Sequence, residues 1–359
     1  MGIMKKLRII IAGFVVSMNI LFLLTGCELF EANNGKLVRF SGESSAPATK
    51  AGYGPENNNS GHQMIVWSPG DKIKIVSDLA QTTEEHGSLH FHEYTLSNEI
   101  WNDKSSSYAK FSLNEFDEGG LRWANTTDYH QFWAVYPKTV DLTVKREEGK
   151  DVGIVTASAN NLSEFLMLAY RRTQYIDNKG VVFLQFYPAF TALQFNIDCG
   201  VDRVSITKCE IESSSQTIDG GFTATIAKIS DNGIEFGSFD ETNASKKMSL
   251  DSGKDFGSGK SFTFFCLPKN LKDITITCYF TLAEKGEFHK KMNISAALNE
   301  AYQLECFSAC KKYVIDLTLD SNVEDPDDPE DFDLHFAGVW TMGQDREEMG
   351  VGDWTITQK

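Results

Sequence analysis

Residues 181–199 read Val181-Val182-Phe183-Leu184-Gln185-Phe186-Tyr187-Pro188-Ala189-Phe190-Thr191-Ala192-Leu193-Gln194-Phe195-Asn196-Ile197-Asp198-Cys199. Val182, Leu184 and Phe186 alternate with their neighbours, and so do Leu193, Phe195, Ile197 and Cys199. A spacing of two places each set on one face of an extended strand. Working outward, further runs of this kind stand at Val204–Ile211, Phe222–Ile226, Phe262–Leu267, Ile274–Leu282 and Tyr313–Leu319. Toward the N-terminus, Met64-Ile65-Val66-Trp67 leads through the turn Ser68-Pro69-Gly70-Asp71 into Ile73-x-Ile75. Tyr108–Leu113, Gln131–Tyr136 and Val140–Val144 continue the series, and Ser163–Tyr170 predicts a short helix. Many short strands between polar turns predict an all-β protein built from sandwiches. The spacing divides it near residues 171–180, giving an N-terminal sandwich over 61–175 and a C-terminal one over 176–320.

The chain opens with Lys5, Lys6 and Arg8 and no acidic residue, followed by an apolar run from Ile9 to Leu24. This is the layout of a secretory signal, and the run falls short of the roughly 20 apolar residues that span a bilayer. Leu24-Thr25-Gly26-Cys27 resembles the lipobox of bacterial lipoproteins. The resemblance implies removal of residues 1–26 and acylation of Cys27, and several acyl chains on one residue give stable anchoring. A linker over 27–60 follows, with one strand-like island at Lys36–Phe40.

Without residues 1–26 the chain keeps 31 basic against 50 acidic residues, a net charge of −19. Nucleic-acid binding needs a basic footprint and is not expected. Six cysteines remain, all between Cys199 and Cys310. An even count in an exported chain suits disulfides, but Cys199, Cys266 and Cys278 fall on apolar strand faces, where a free thiol packs as a small hydrophobe. Cys306-x-x-x-Cys310 lacks the four ligands of a structural zinc site.

Glu324-Asp325-Pro326-Asp327-Asp328-Pro329-Glu330-Asp331 reads as an extended acidic linker. It lacks the glycine and the twelfth-position Glu of an EF-hand loop. Beyond it Leu334, Phe336, Gly338, Trp340 and Met342 alternate like a strand, so residues 321–359 form an acidic linker with a strand-like tail.

Catalytic signals are lacking. His86-x-x-x-His90-x-His92 is the one histidine cluster, and it reads as solvated rather than metal-binding. Gly257-Ser258-Gly259-Lys260-Ser261 has the wrong glycine spacing for a phosphate loop and precedes a strand, where that motif requires a helix. Neither a nucleophile motif nor an HExxH pattern is present.

Ala48-Thr49-Lys50-Ala51, Trp67-Ser68-Pro69-Gly70-Asp71-Lys72-Ile73 and Phe132-Trp133-Ala134-Val135-Tyr136-Pro137 follow one another along the chain. Val182–Phe186 with Ala192–Phe195, Phe262–Pro268, and Tyr302 with Tyr313–Leu317 complete the set, which extends over about residues 48–320. In this order the elements resemble the fimbrillin family, the subunits of type V pili. Tyr187-Pro188 departs from the family, which commonly shows a basic residue or histidine before the alanine, and so does the long acidic tail.

The resemblance implies two transthyretin-like β-sandwich domains, no catalysis, and no cofactor beyond the covalent lipid on Cys27. It implies an adhesive fimbrial subunit or accessory component, lipid-anchored at the outer membrane and displayed on the cell surface. Its partners would be other fimbrial subunits through strand exchange and a trypsin-like maturation protease. Carried onto this chain, Lys36–Phe40 is the placeholder strand and Lys50, or second Arg39, the processing site. Leu334, Phe336, Trp340 and Met342 supply the donor side chains. The alternative is a surface glycan- or ligand-binding lipoprotein that does not polymerise, using an exposed Trp101 or Trp123 as a platform, with Trp133 read as core. A hydrolase on the same scaffold ranks last.

Overall fold

A computed structural model describes residues 36–44, 52–53, 65–80 and, apart from a few internal segments, 85–341. Cys27, Lys50 and Met342 lie outside the described residues. The strands of the first half are β1 (Arg39–Ser44), β2 (Gly52–Tyr53), β3 (Ile65–Val66), β4 (Lys72–Ser77), β5 (Glu85–His86), β6 (Leu89–Asn102), β7 (Ser107–Ser112) and β8 (His130–Tyr136). They are followed by β9 (Asp141–Glu147), β10 (Lys150–Ala157), β11 (Met167–Thr173) and β12 (Val181–Pro188).

Seven of these strands form a closed ring. The order runs β4-β8-β11-β12-β1-β7-β6, and β6 pairs again with β4. Closure leaves no free edge around the ring. Every pairing in it is antiparallel except that between β1 and β12. The ring is packed with aromatic side chains. Trp67 meets Phe111, Tyr136 and Phe186 edge-on with centroids 5.2–5.6 Å apart, a favoured geometry for aromatic quadrupoles.

The remaining strands are β13 (Thr191–Cys199), β14 (Val204–Ser213), β15 (Asp219–Ser230), β16 (Gly233–Ser245), β17 (Lys247–Asp251), β18 (Lys260–Cys266), β19 (Ile274–Leu282), β20 (Gly286–Asn293), β21 (Lys312–Ser321) and β22 (Phe332–Thr341). β15 and β16 join β10 and β9 in a sheet of order β16-β15-β10-β9, whose Phe222, Ala224 and Ile226 share one core with the ring. Gly153 on β10 permits the contact with β8, because a Cβ there would stand 2.8 Å from the Trp133 ring. The second core lies between sheets of order β18-β13-β21-β22 and β17-β14-β19-β20, and includes Phe195, Phe264, Ile276 and Phe280.

The all-β architecture agrees with the sequence reading, but two strands have partners the pattern did not reveal. Val181–Pro188 pairs with β1 and β11 of the ring, and Asp219–Ser230 pairs with β10. Alternation orients a strand's faces without naming its neighbour. The chain therefore passes from β12 to the second core, returns for β15 and β16, and leaves again.

Ser163–Tyr170 is not a helix. A short helix spans Ala159–Ser163, Phe165 turns the chain at φ +69°, and Met167–Thr173 is a strand. Leu166, Met167, Leu168 and Ala169 are all buried, since β11 is covered on both faces. A short continuous apolar run has no period from which to separate the two structures. His92 also departs from expectation: it is buried rather than solvated, opposite Ile75 and edge-on to Tyr94.

Candidate strand-exchange site

The seat of β1 lies inside the ring. β1 runs parallel to β12 with Arg39 opposite Val181, and antiparallel to β7 with Phe40 opposite Phe111. At its start, Val38 N–H donates to the Leu121 carbonyl at 2.8 Å and Trp123 N–H to the Lys36 carbonyl at 2.9 Å. Val38 and Phe40 are buried. The Phe40 ring sits edge-on to Tyr94 at 4.9 Å and to Phe132 at 5.5 Å.

Gly42 follows on the same face, and the seat narrows there. A Cβ at this position would stand 2.6 Å from a Phe111 ring carbon and 3.2 Å from both a Phe186 ring carbon and the Leu184 carbonyl. The seat thus accepts a branched aliphatic, then phenylalanine, then no side chain. Arg39, the second processing candidate, lies within β1 and donates to the Lys179 carbonyl at 3.1 Å.

The candidate donor strand occupies a seat in its own chain. β22 pairs antiparallel with β21, with Leu334 opposite Leu319, Phe336 opposite Leu317 and Trp340 opposite Val314. Phe332, Leu334 and Val339 are buried in the second core, and Phe336 approaches Tyr302 at 6.1 Å. A register shift between Asp316 and Leu317 breaks the alternation after Phe336. A Cβ built on Gly338 meets nothing within 4 Å.

One relation escaped the sequence reading. Val38-Arg39-Phe40-Ser41-Gly42 recurs in pattern as Leu334-His335-Phe336-Ala337-Gly338. Comparing the two strand-like segments directly would have revealed it, although the reason for the shared glycine appears only in the packing around Gly42.

Two elements of the family resemblance meet beside this seat. The Asp71 carboxylate accepts from the Ser68 N–H at 2.9 Å and from the Tyr136 hydroxyl at 3.1 Å. Burial, with the Asp71 charge and hydrogen bond behind it, pushes the Tyr136 hydroxyl well above the usual tyrosine range. The turn before β4 is thereby tied to the end of β8.

Trp123 and Trp133 are buried, which corrects the reading of Trp123 as a glycan platform and agrees with Trp133 as core. The Trp101 backbone pairs with Tyr108. Lys260 begins strand β18. Among the described residues the six cysteines are free, and Cys199, Cys209, Cys266 and Cys278 are buried. Burial pushes the Cys278 thiol up to about 12, leaving it unreactive. No group of three metal-ligating side chains occurs among the described residues.

No curated protein matches the chain. Among solved structures, a candidate cell adhesion protein from Bacteroides uniformis ATCC 8492 has 15% identity and a TM-score of 0.48, covering 85% of this chain and 97% of its own. A fimbrial assembly protein from Parabacteroides distasonis ATCC 8503 has 10% identity and a TM-score of 0.38, with 85% and 100% covered. The fimbrial anchor protein Mfa2 from Porphyromonas gingivalis has 10% identity and a TM-score of 0.28, with 85% and 98% covered. The model of the fimbrillin-like family matches residues 49–329, more than three quarters of the sequence. The chain belongs to the fimbrillin-like family.

Proposed function

We propose that the protein is a non-enzymatic subunit or accessory component of a cell-surface fimbrium, assembled by exchange of β1 for the C-terminal strand of another copy. The observation that carries this reading is the pairing of an interior, shape-restricted seat with a second strand of the same side-chain pattern. Cleavage at Lys50 by a trypsin-like protease frees β1, whereas a cut at Arg39 would leave Phe40–Ser44 joined to the ring, and the gap left by β1 exposes the main chains of β12 and β7. An entering strand satisfies those groups by β-augmentation, and its alternating side chains choose the register. The ring cannot stay open in water without offering an aggregation-prone edge, so the placeholder keeps the subunit monomeric until processing.

In this register Leu334 takes the place of Val38, Phe336 of Phe40 and Gly338 of Gly42, with Trp340 and Met342 continuing beyond. Before processing, the chain is held at the outer membrane by the lipid on Cys27. Its function there is adhesion through the assembled fimbrium. Trypsin treatment of the full chain should give a ladder of species on unboiled gels and fibres in electron micrographs. A ladder unchanged by deletion of residues 334–359 would overturn the reading.

A further inference from the structure

The large apolar side chains standing exposed among the described residues are Leu37, Leu79, Tyr129 and Ile176. Strand registers bring all four to one end of the ring. Ser77 lies opposite Phe132, Thr173 opposite His130, and Arg39 opposite Val181. The start of β1, the end of β4, the start of β8 and the end of β11 therefore share that end. Ile176, in the short helix after β11, is 61% exposed, and Leu37 stands directly opposite Arg122.

The same end is basic in a chain of strongly acidic composition. Lys36 lies over the Tyr175 ring at 5.4 Å, and the Arg172 guanidinium lies over Tyr129 at 4.0 Å. Arg39, Arg122 and Lys179 are exposed beside them. The acidic groups nearby have internal hydrogen bonds. Asp78 accepts from Gln131 at 2.8 and 3.0 Å, Asp128 from Asn125 at 2.7 Å, and Asp177 from the Gln174 N–H at 3.3 Å.

Only eight residues separate Cys27 from Lys36, a reach of about 30 Å even when fully extended. We infer that this end of the ring rests on a membrane surface carrying anionic phosphate headgroups, with the apolar side chains at the interface and the cations against the phosphates. The inference rests on the lipidation of Cys27. It gives the unprocessed chain a fixed orientation. β1 leaves the membrane at Arg39 and ends on the far side at Ser44, six residues before Lys50. Lys50 thus follows the outward end of β1, while Arg39 faces the bilayer, so processing falls at Lys50. That cut removes the lipid together with Lys36, Leu37 and Arg39, taking away the tether and part of the contact in one step.

The test uses the whole chain from Glu28 to Lys359, which carries no lipid, in flotation with vesicles. Vesicles containing phosphatidylglycerol should bind it more tightly than phosphatidylcholine alone, with loss at high salt. A cation at an anionic surface contributes about 1 kcal/mol, so Arg122→Ala with Arg172→Ala should weaken binding about 30-fold. Lys290→Ala with Lys291→Ala, on β20 of the second core, should leave binding unchanged. As a second measurement, a headgroup-proximal quencher should quench a fluorophore on Ile176→Cys in the lipidated chain. Equal binding to both vesicle types, or binding indifferent to the arginine pair, together with an unquenched label, would overturn the inference. Self-association abolished by the arginine substitutions, without vesicle binding, would assign this end to a second copy and overturn it too. Mass spectrometry finding no lipid on Cys27 would remove the tether alone, an outcome separable from the vesicle result.

Discussion

Replacing Gly338 with alanine distinguishes the two seats available to the C-terminal strand. On β21 the added methyl group meets nothing within 4 Å, so the folded chain should accept it. Alanine also restricts the unfolded chain more than glycine does, and the change should stabilise the monomer by a few tenths of a kcal/mol. In the seat of β1 the same methyl group falls where a Cβ on Gly42 would stand 2.6 Å from Phe111 and 3.2 Å from Phe186 and the Leu184 carbonyl. Two buried rings and a main-chain oxygen leave little room to yield. Overpacking of this kind costs about 1–3 kcal/mol, or roughly five- to 150-fold in affinity. The assay is binding of a synthetic peptide, Phe332–Thr341 with or without Gly338→Ala, to trypsin-trimmed protein, beside thermal unfolding of the intact variant. Equal peptide affinities would refute the proposed register. A large loss of monomer stability would refute the reasoning about the open space at Gly338.

Phe40→Ala should lower the stability of the intact chain by about 3–5 kcal/mol, read from chemical denaturation, because Phe40 is buried against Tyr94 and Phe132. Gly153→Val should cost about 1–3 kcal/mol through collision with Trp133 and Ile226, and should blue-shift or quench tryptophan emission. Glu210 offers a test by pH. Burial alone would raise its carboxyl, but hydrogen bonds from Lys208, Lys247 and Tyr279, at 2.7, 2.8 and 2.5 Å, prevail and bring it down to about 2. A depressed folded-state value stabilises above the ordinary value of 4.5 and loses that contribution as pH falls through about 2. Glu210→Gln should therefore flatten the stability profile between those values, on the order of 2 kcal/mol. An unchanged acid limb in denaturation experiments would count against this network.

Strand identity was largely legible where side chains alternate. Leu193, Phe195 and Ile197 face one core as their spacing requires, and Phe262, Phe264 and Cys266 do the same. Legibility failed where both faces are covered, as at Leu166–Ala169, and where they are mostly exposed, as along β16. In neither case does hydrophobicity oscillate. The candidate site was half legible: Leu334 and Phe336 stood out by period, whereas Gly42 carries no side chain to signal that two phenylalanines close over it.

The all-β class and the position of most strands were written in the sequence, because a period of two is a local property of the backbone. The sequence also contained the recurrence of Val38–Gly42 in Leu334–Gly338. Tertiary structure alone decided that β12 completes a closed ring, that β15 and β16 return to cover it, and that β1 sits inside it. Those outcomes depend on which main-chain edges meet across more than a hundred residues, as when Arg39 finds Val181. Alternation along one strand holds no information about the edge it will join.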